Sequence, residues 1–364
     1  MECNDKRIFV QVLKMRLAGD TAVSSYYIMK GVRFIYIMCY DICLKDKGDS
    51  MGKVTIKIFG IGDGGNTIIR HMLQHRLHGV EYIAVNTNRL ALLQLSQEHK
   101  LLIGEKQTKG YGTGADSLLG KRAAIEAKEE ICKRMKGADM ILLCAGLGGG
   151  TGSGALPVFA QLARELHALT IAFVTLPFPF EGKKRMRTAM ASMEEIYSYT
   201  DTCITLSNRH ILQHLGNAPI TSAFSTANSI IQQGIQALYE LITIPVYINV
   251  DYADICTTME KQKHGFIGVG YGSGNRKGED AVKEALSASL LEHDIRGLHH
   301  AIVHICGNSE LTLEEVQQIV NFIHTEAGGA LDIIFGMAIN DSLKNEVIVT
   351  ILAAGDDEAG AVIR

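Results

Sequence analysis

The densest chemistry in the sequence lies at Gly146-Leu147-Gly148-Gly149-Gly150-Thr151-Gly152-Ser153-Gly154. Successive glycines turn a run of backbone N–H groups into a concave nest, and two hydroxyls add donors, so the segment suits several phosphate oxygens. It follows an apolar strand expected over 140–145 and precedes a helix expected over 155–166, which makes it a strand-to-helix turn and not slack linker. A second glycine turn, Gly60-Ile61-Gly62-Asp63-Gly64-Gly65-Asn66, stands between a β-branched strand over 54–59 and a helix expected over 67–77. Helix N-termini present free amides and a positive dipole end to such anions. This turn also fits G-x-G-x-x-G, which opens a dinucleotide-binding reading. Against it, the next strand, 82–85, ends in Asn86-Thr87-Asn88, where that reading needs an acidic residue for the ribose hydroxyls. No G-x-x-x-x-G-K-[ST] occurs, so the chain is no P-loop protein.

Other residues carry weaker signals. Asp251 and Asp254 stand three apart at a loop-to-helix entry, where both carboxylates can face one way. A solvated acidic helix start has the same pattern, and the spacing alone does not separate the two. Lys183-Lys184-Arg185-Met186-Arg187 is either a phosphate-side cluster or a solvated patch. His71, His75 and His78 fall at i, i+4 and i+7, but no acidic or Cys partner sits at ligand spacing, so no metal site is expected. Met186, Met190 and Met193 recur at helical spacing and read as core.

These residues need elements to hold them. With 47% hydrophobic and 21% charged residues, the 364-residue chain is an ordinary globular sequence long enough for two domains. The formal charge of −3 gives no global basic field, so nucleic acid is not an expected partner. Glycine is in excess, 37 against 5 Pro, which suggests glycines gathered in functional loops. Eight Cys without a CxxC fit reduced thiols and a cytoplasmic location.

Residues 1–50 differ from the rest: they carry a formal charge of +2 against −5 for the remainder and lack any glycine-rich motif. Their apolar run 34–40 is too short to span a bilayer, and no secretory signal pattern is present. We expect Met51 to be the true start, with 1–50 as upstream sequence; a real N-terminal extension or amphipathic anchor is the competing reading. The body then divides into a nucleotide-binding domain over 51–221, a central helix over 222–243, an α+β domain over 244–355 and a short tail over 356–364.

The order of motifs along 51–355 resembles the tubulin/FtsZ family, in its FtsZ branch. GGGTGSG (148–154) is similar to the family signature. GIGDGGN (60–66), AVNTN (84–88) and TKGYGTGAD (108–116) match its first three loops, and PFPFEGKKR (177–185) its ribose-side loop. AFSTANS (223–229) and NVDYADI (249–255) match the central helix and the catalytic loop. The resemblance implies an α/β fold: a parallel-sheet, Rossmann-like GTPase domain joined by a central helix to a smaller α+β C-terminal domain. It implies GTP or GDP as ligand, with Mg²⁺, held in one subunit while the acidic loop of the next completes the site. Gly62, Gly64, Gly65, Gly114, Gly149, Gly150, Thr151 and Gly152 would face phosphate. Glu181 would contact ribose and Arg185 the phosphates. Asn66 and Asn228 would meet the guanine edge, with Phe224 stacking on the ring. Asp251 would polarise the attacking water, Asp254 would orient it or hold the cation, and Asn249 would support them.

Three positions depart from the family pattern. Asp63 replaces a usual glycine and brings a carboxylate near phosphates, Asn88 stands where Asp is usual, and Asp116 where Asn is usual. The chain also stops short of the linker and amphipathic tail that dock membrane-tethering partners in the family. The resulting expectation is a GTP-hydrolysing protein that polymerises head to tail in cell division or a related cytoskeletal role. The alternative is a non-hydrolysing homologue that binds nucleotide and regulates or copolymerises with another FtsZ.

Overall fold

The computed structural model describes residues 26–29, 32–35, 54–74, 76–215, 220–243, 250–287, 291, 294–329 and 331–356. Met51, His75, residues 244–249 with Asn249, and the tail from 357 lie outside them. Two compact units are present: residues 1–53 with 341–344, and residues 54–340 with 345–364. In the first, Tyr26–Met29 (β1) pairs antiparallel with Val32–Ile35 (β2).

The second unit is organised by one ten-stranded sheet. Ile56–Ile61 (β3), Glu81–Asn86 (β4), Lys100–Leu102 (β5), Met140–Gly146 (β6), Leu169–Leu176 (β7) and Thr202–Ser207 (β8) are its nucleotide-side strands. His264–Ser273 (β9), His300–Gly307 (β10), Asp332–Ile339 (β11) and Glu346–Gly355 (β12) continue it. The order across the sheet is β5-β4-β3-β6-β7-β8-β9-β12-β10-β11. Every neighbouring pair from β5 to β9 is parallel, β12 runs antiparallel to β9 and β10, and β11 runs parallel to β10. A short parallel step, Cys203 opposite His264 and Ile204 opposite Gly265, carries the sheet from the first half into the second.

Helices cover both faces, as buried parallel strands require. They are Gly62–Met72 (α1), Glu105–Thr108 (α2), Ser117–Glu126 (α3), Lys128–Met135 (α4), Gly150–Glu165 (α5), Lys183–Tyr199 (α6), Asn208–Leu215 (α7), Ile220–Thr243 (α8), Tyr252–Met259 (α9), Lys277–Leu286 (α10) and Leu313–Ala327 (α11). The period of two along β3 assigns its sides. Ile56 and Ile58 join Ile68 and Met72 of α1, Ile231 and Leu238 of α8 and Met259 of α9 in one core. Phe59 and Ile61 join Ala123 of α3, Leu156 and Phe159 of α5 and Met193 of α6 in the other.

Two expected helix starts are displaced by the same cause. Helix α1 begins at Gly62 and not at 67, and α5 at Gly150 and not at 155. The glycine turns are themselves the first helical turns. A Cβ at Gly65 would lie 2.4 Å from the Cys144 carbonyl oxygen, and one at Gly152 2.5 Å from that of Gly146, so helix and strand meet backbone to backbone. Helix α1 also ends at Met72, which removes His78 from the helical face shared with His71. The methionine stripe on α6 is only partly core, because Met193 is buried and Met190 exposed.

Candidate nucleotide-binding site

Strand order places the glycine loops. The chain leaves β3 outward to β4 and β5, then returns to the other side of β3 as β6. Ligands of open α/β sheets bind at such a switch point, beyond the carboxyl ends of the strands. The turns after β3 and β6 meet there: a Cβ on Gly62, whose φ is +74°, would lie 3.0 Å from the Gly152 nitrogen. Neither α1 nor α5 has a side chain capping its first turn, so the amides at both N-termini remain available to an anion.

Two further loops close on this pair. Thr87, after β4, brings its hydroxyl 2.7 Å from that of Thr151, with both side chains buried. The Thr87 carbonyl accepts from the Thr108 hydroxyl at 3.2 Å and from the Gly112 amide at 3.2 Å, which draws in the third loop. That loop rests on α5 where Gly150 has no side chain, since a Cβ there would lie 2.2 Å from Thr113 Oγ1. Within the 146–154 turn, the Ser153 hydroxyl accepts from the Gly148 amide at 2.8 Å, which fixes the nest's entry. Gly149 has nothing within 4 Å of its Cβ position and lies open.

The ribose-side segment borders the same turn. Arg185 lies against Gly148 and forms an ion pair with Glu181, whose other oxygen accepts from the Phe178 amide at 2.9 Å. Asn66 is 1% exposed, yet neither atom of its side-chain amide has a hydrogen-bond partner. A buried amide left empty on both sides is costly unless a ligand completes it. It lies one helical turn beyond Gly62 on α1, and α1 packs against α8, the helix that bears Asn228. Asn228 is half-buried; the Phe224 side chain lies outside the described residues.

The departures acquire local roles. Asp116 caps α3, accepting from the amides of Leu118 at 2.9 Å and Leu119 at 3.2 Å. Asn88 Oδ1 accepts from the Leu90 amide at 3.0 Å and so serves its own turn. Asp63 Oδ1 accepts from Asn86 Nδ2 at 2.9 Å.

Asp251 and Asp254 are elsewhere. Asp251 caps α9 through the Asp254 amide at 2.9 Å, and the Asp254 carboxylate accepts from the Asp251 amide at 3.0 Å. The Tyr252 hydroxyl donates to the Asp139 carbonyl at 2.8 Å, so α9 starts beside the amino end of β6. The cradle lies past its carboxyl end. Seven strand residues at ~3.3 Å each put roughly 23 Å between the two edges. The acidic pair and the cradle of one chain do not share a site.

In the sequence, Asn86 and Thr87 count only against a dinucleotide reading and as part of the second-loop motif, with no individual role in the site. Their signal was present in the Ala-Val-Asn-Thr-Asn segment, but the tie to Thr151 spans 64 positions. Among the described residues no group of three His, Cys, Asp or Glu side chains is placed to hold a metal ion, and no helix is long and apolar enough to cross a membrane.

Comparison with known proteins gives concordant results. Residues 55–216 match the tubulin/FtsZ family GTPase domain and residues 264–357 the FtsZ family C-terminal domain. An empty FtsZ dimer from M. jannaschii is 36% identical, with 83% of this chain and 88% of that chain covered at a TM-score of 0.75. CetZ2 from Haloferax volcanii, solved as a protofilament with GTPγS bound, is 20% identical, with coverage of 85% and 95% and a TM-score of 0.72. CetZ1 from the same organism, a GDP-bound monomer, is 22% identical, with coverage of 84% and 95% and a TM-score of 0.71. At those identities the CetZ likeness speaks to the fold alone.

Proposed function

The chain belongs to the tubulin/FtsZ family, and from that premise we propose that it binds GTP, assembles head to tail and hydrolyses GTP where two subunits meet, in cell division or a related cytoskeletal role. The observation that carries this reading is the separation of its two halves. The amide cradle lies at the carboxyl edge of β3 and β6, and the Asp251–Asp254 pair at the amino edge of β6. In a head-to-tail stack one subunit's acidic edge faces the next subunit's cradle, and such contacts generate a filament.

The surroundings of the cradle support a partner there. Tyr111 of the third loop is 85% exposed, and Leu90, Leu118 and Phe180 are exposed around the same loops. Large apolar side chains grouped at one edge are suited to protein contact.

GTP supplies the phosphoanhydride bond that is cleaved. The amides of the 146–154 turn, with Thr151 and Arg185, hold and neutralise the phosphates. Glu181 serves the ribose, and Asn66, Asn228 and Phe224 serve the base. Asp251 of the adjacent subunit orients the attacking water, with Asp254 and Asn249 in support. Bound Mg²⁺ adds charge neutralisation at the phosphates.

A second reading is a nucleotide-binding homologue that regulates or copolymerises with another FtsZ without turnover. It is favoured by the reciprocal hydrogen bonds that engage one oxygen of each carboxylate locally. GTP turnover measured against protein concentration, with light scattering, separates the two. Turnover per subunit that rises with assembly supports hydrolysis at the interface; binding and assembly without turnover support the regulator.

A further inference from the structure

We propose that Asp63 makes GTP binding by this chain depend on a divalent cation, an inference that rests on the GTP reading of the cradle. The loops around the cradle carry three acidic side chains. Asp116 is engaged in capping α3, and Glu181 is paired with Arg185. Asp63 has no cationic side chain in ion-pair range among the described residues; its one partner is the Asn86 amide, 2.9 Å away.

Asn86 determines where that carboxylate sits. It is 2% exposed at the end of β4, and its side-chain oxygen Oδ1 accepts from the Asn88 amide at 3.0 Å. The side-chain amide is therefore fixed, and its NH₂ group holds one Asp63 oxygen at the end of β4 although the residue is exposed. The next residue is Thr87, whose hydroxyl meets Thr151 of the glycine nest. The Asp63 carboxylate thus ties the first loop to the second, one residue before the contact of the second loop with the glycine nest. The buried and unpartnered Asn66 amide, one helical turn from Gly62, independently marks this end of α1 as unfinished without a ligand.

Like charges repel, and even an exposed carboxylate such as Asp63 acts on phosphates bound within a Debye length, about 8–10 Å. A carboxylate at the phosphates is unfavourable for a nucleotide triphosphate alone. The same carboxylate is an asset when a small divalent ion lies between, because Mg²⁺ is commonly held by one or two carboxylates together with substrate phosphates. Asp63 therefore converts an indifferent amide cradle into one selective for the metal–nucleotide complex.

The test is a calorimetric titration of GTP, and separately GDP, into wild-type protein, Asp63→Gly and Asp63→Asn, each with Mg²⁺ and with excess EDTA. Circular dichroism confirms that the variants fold. Chelation is expected to weaken GTP binding to the wild type by about tenfold and to either variant by less than about threefold, with both variants binding GTP more tightly than wild type in EDTA. An equal effect of chelation on all three proteins overturns the role of Asp63 while leaving the GTP reading intact. Absence of GTP binding to the wild type under both conditions overturns both.

Discussion

The hydroxyls of Thr87 and Thr151 lie 2.7 Å apart, buried between the end of β4 and the first turn of α5. The bond ties the second loop to the glycine nest, and the Thr87 carbonyl ties the nest in turn to the third loop. Removing the Thr87 hydroxyl while keeping its shape should therefore loosen the cradle without emptying it. Thr87→Val is expected to cost about 1–2 kcal/mol of stability in urea unfolding, because the Thr151 hydroxyl loses its partner. GTP affinity should fall by about five- to tenfold. Thr87→Ser should behave as wild type in both measurements.

Adjacent glycines should respond in opposite ways. A Cβ at Gly150 would meet Thr113 Oγ1 at 2.2 Å and the Asp116 backbone at 2.7 Å, whereas one at Gly149 meets nothing within 4 Å. Gly150→Ala is expected to lower stability by roughly 2–4 kcal/mol in thermal or urea unfolding. Gly149→Ala should leave the melting temperature nearly unchanged and weaken GTP binding alone, since its added methyl stands over the open nest.

Such contrasts show which features can be read along a sequence. Strand, glycine turn and helix follow one another locally, so the apolar runs and the Gly146–Gly154 turn announce the nucleotide-binding half. The helix starts at Gly62 and Gly150 were hidden because glycine is a poor helix former by propensity, and only tight packing on β3 and β6 makes it necessary there. Asp251 and Asp254 were legible as a pair. Their mutual capping is local, but their place at the edge of the sheet opposite the cradle is fixed by the Tyr252–Asp139 contact across 113 positions. The unpartnered Asn66 amide follows from burial and has no sequence signature.

Stability should carry an acid limb from His304. Burial on β10 pushes its pKa down from 6.5 to about 4, and its Nε2 has no hydrogen-bond partner. The folded state thus resists a proton that the unfolded chain accepts. As pH falls from 6.5 toward about 4, the unfolded state is favoured by up to about 3 kcal/mol. Urea unfolding of wild type and His304→Leu across this range should show the wild type losing more stability as pH falls, with the difference levelling off below pH about 4.

The acidic pair has separable structural and chemical duties. Asn caps helices about as well as Asp, so Asp251→Asn and Asp254→Asn should keep α9 and the melting temperature while removing charge. Nucleotide binding should be unchanged, and turnover in assembled protein should fall by about 100-fold or more for Asp251→Asn. Alanine at either position should add a stability loss of about 1 kcal/mol.

The central claim is that each nucleotide is hydrolysed by the acidic edge of the neighbouring subunit. It is tested most directly by mixing Asp251→Asn, which keeps the cradle, with Gly149→Phe, which keeps the acidic edge but blocks the open nest, under assembly conditions and following phosphate release. Each protein alone should turn over GTP slowly. If catalysis is completed across the interface, nucleotide held by Asp251→Asn and facing the acidic edge of a Gly149→Phe neighbour is hydrolysed, so the mixture should exceed the sum of the two proteins alone by about tenfold or more. Turnover in mixed filaments no greater than that sum would contradict the account.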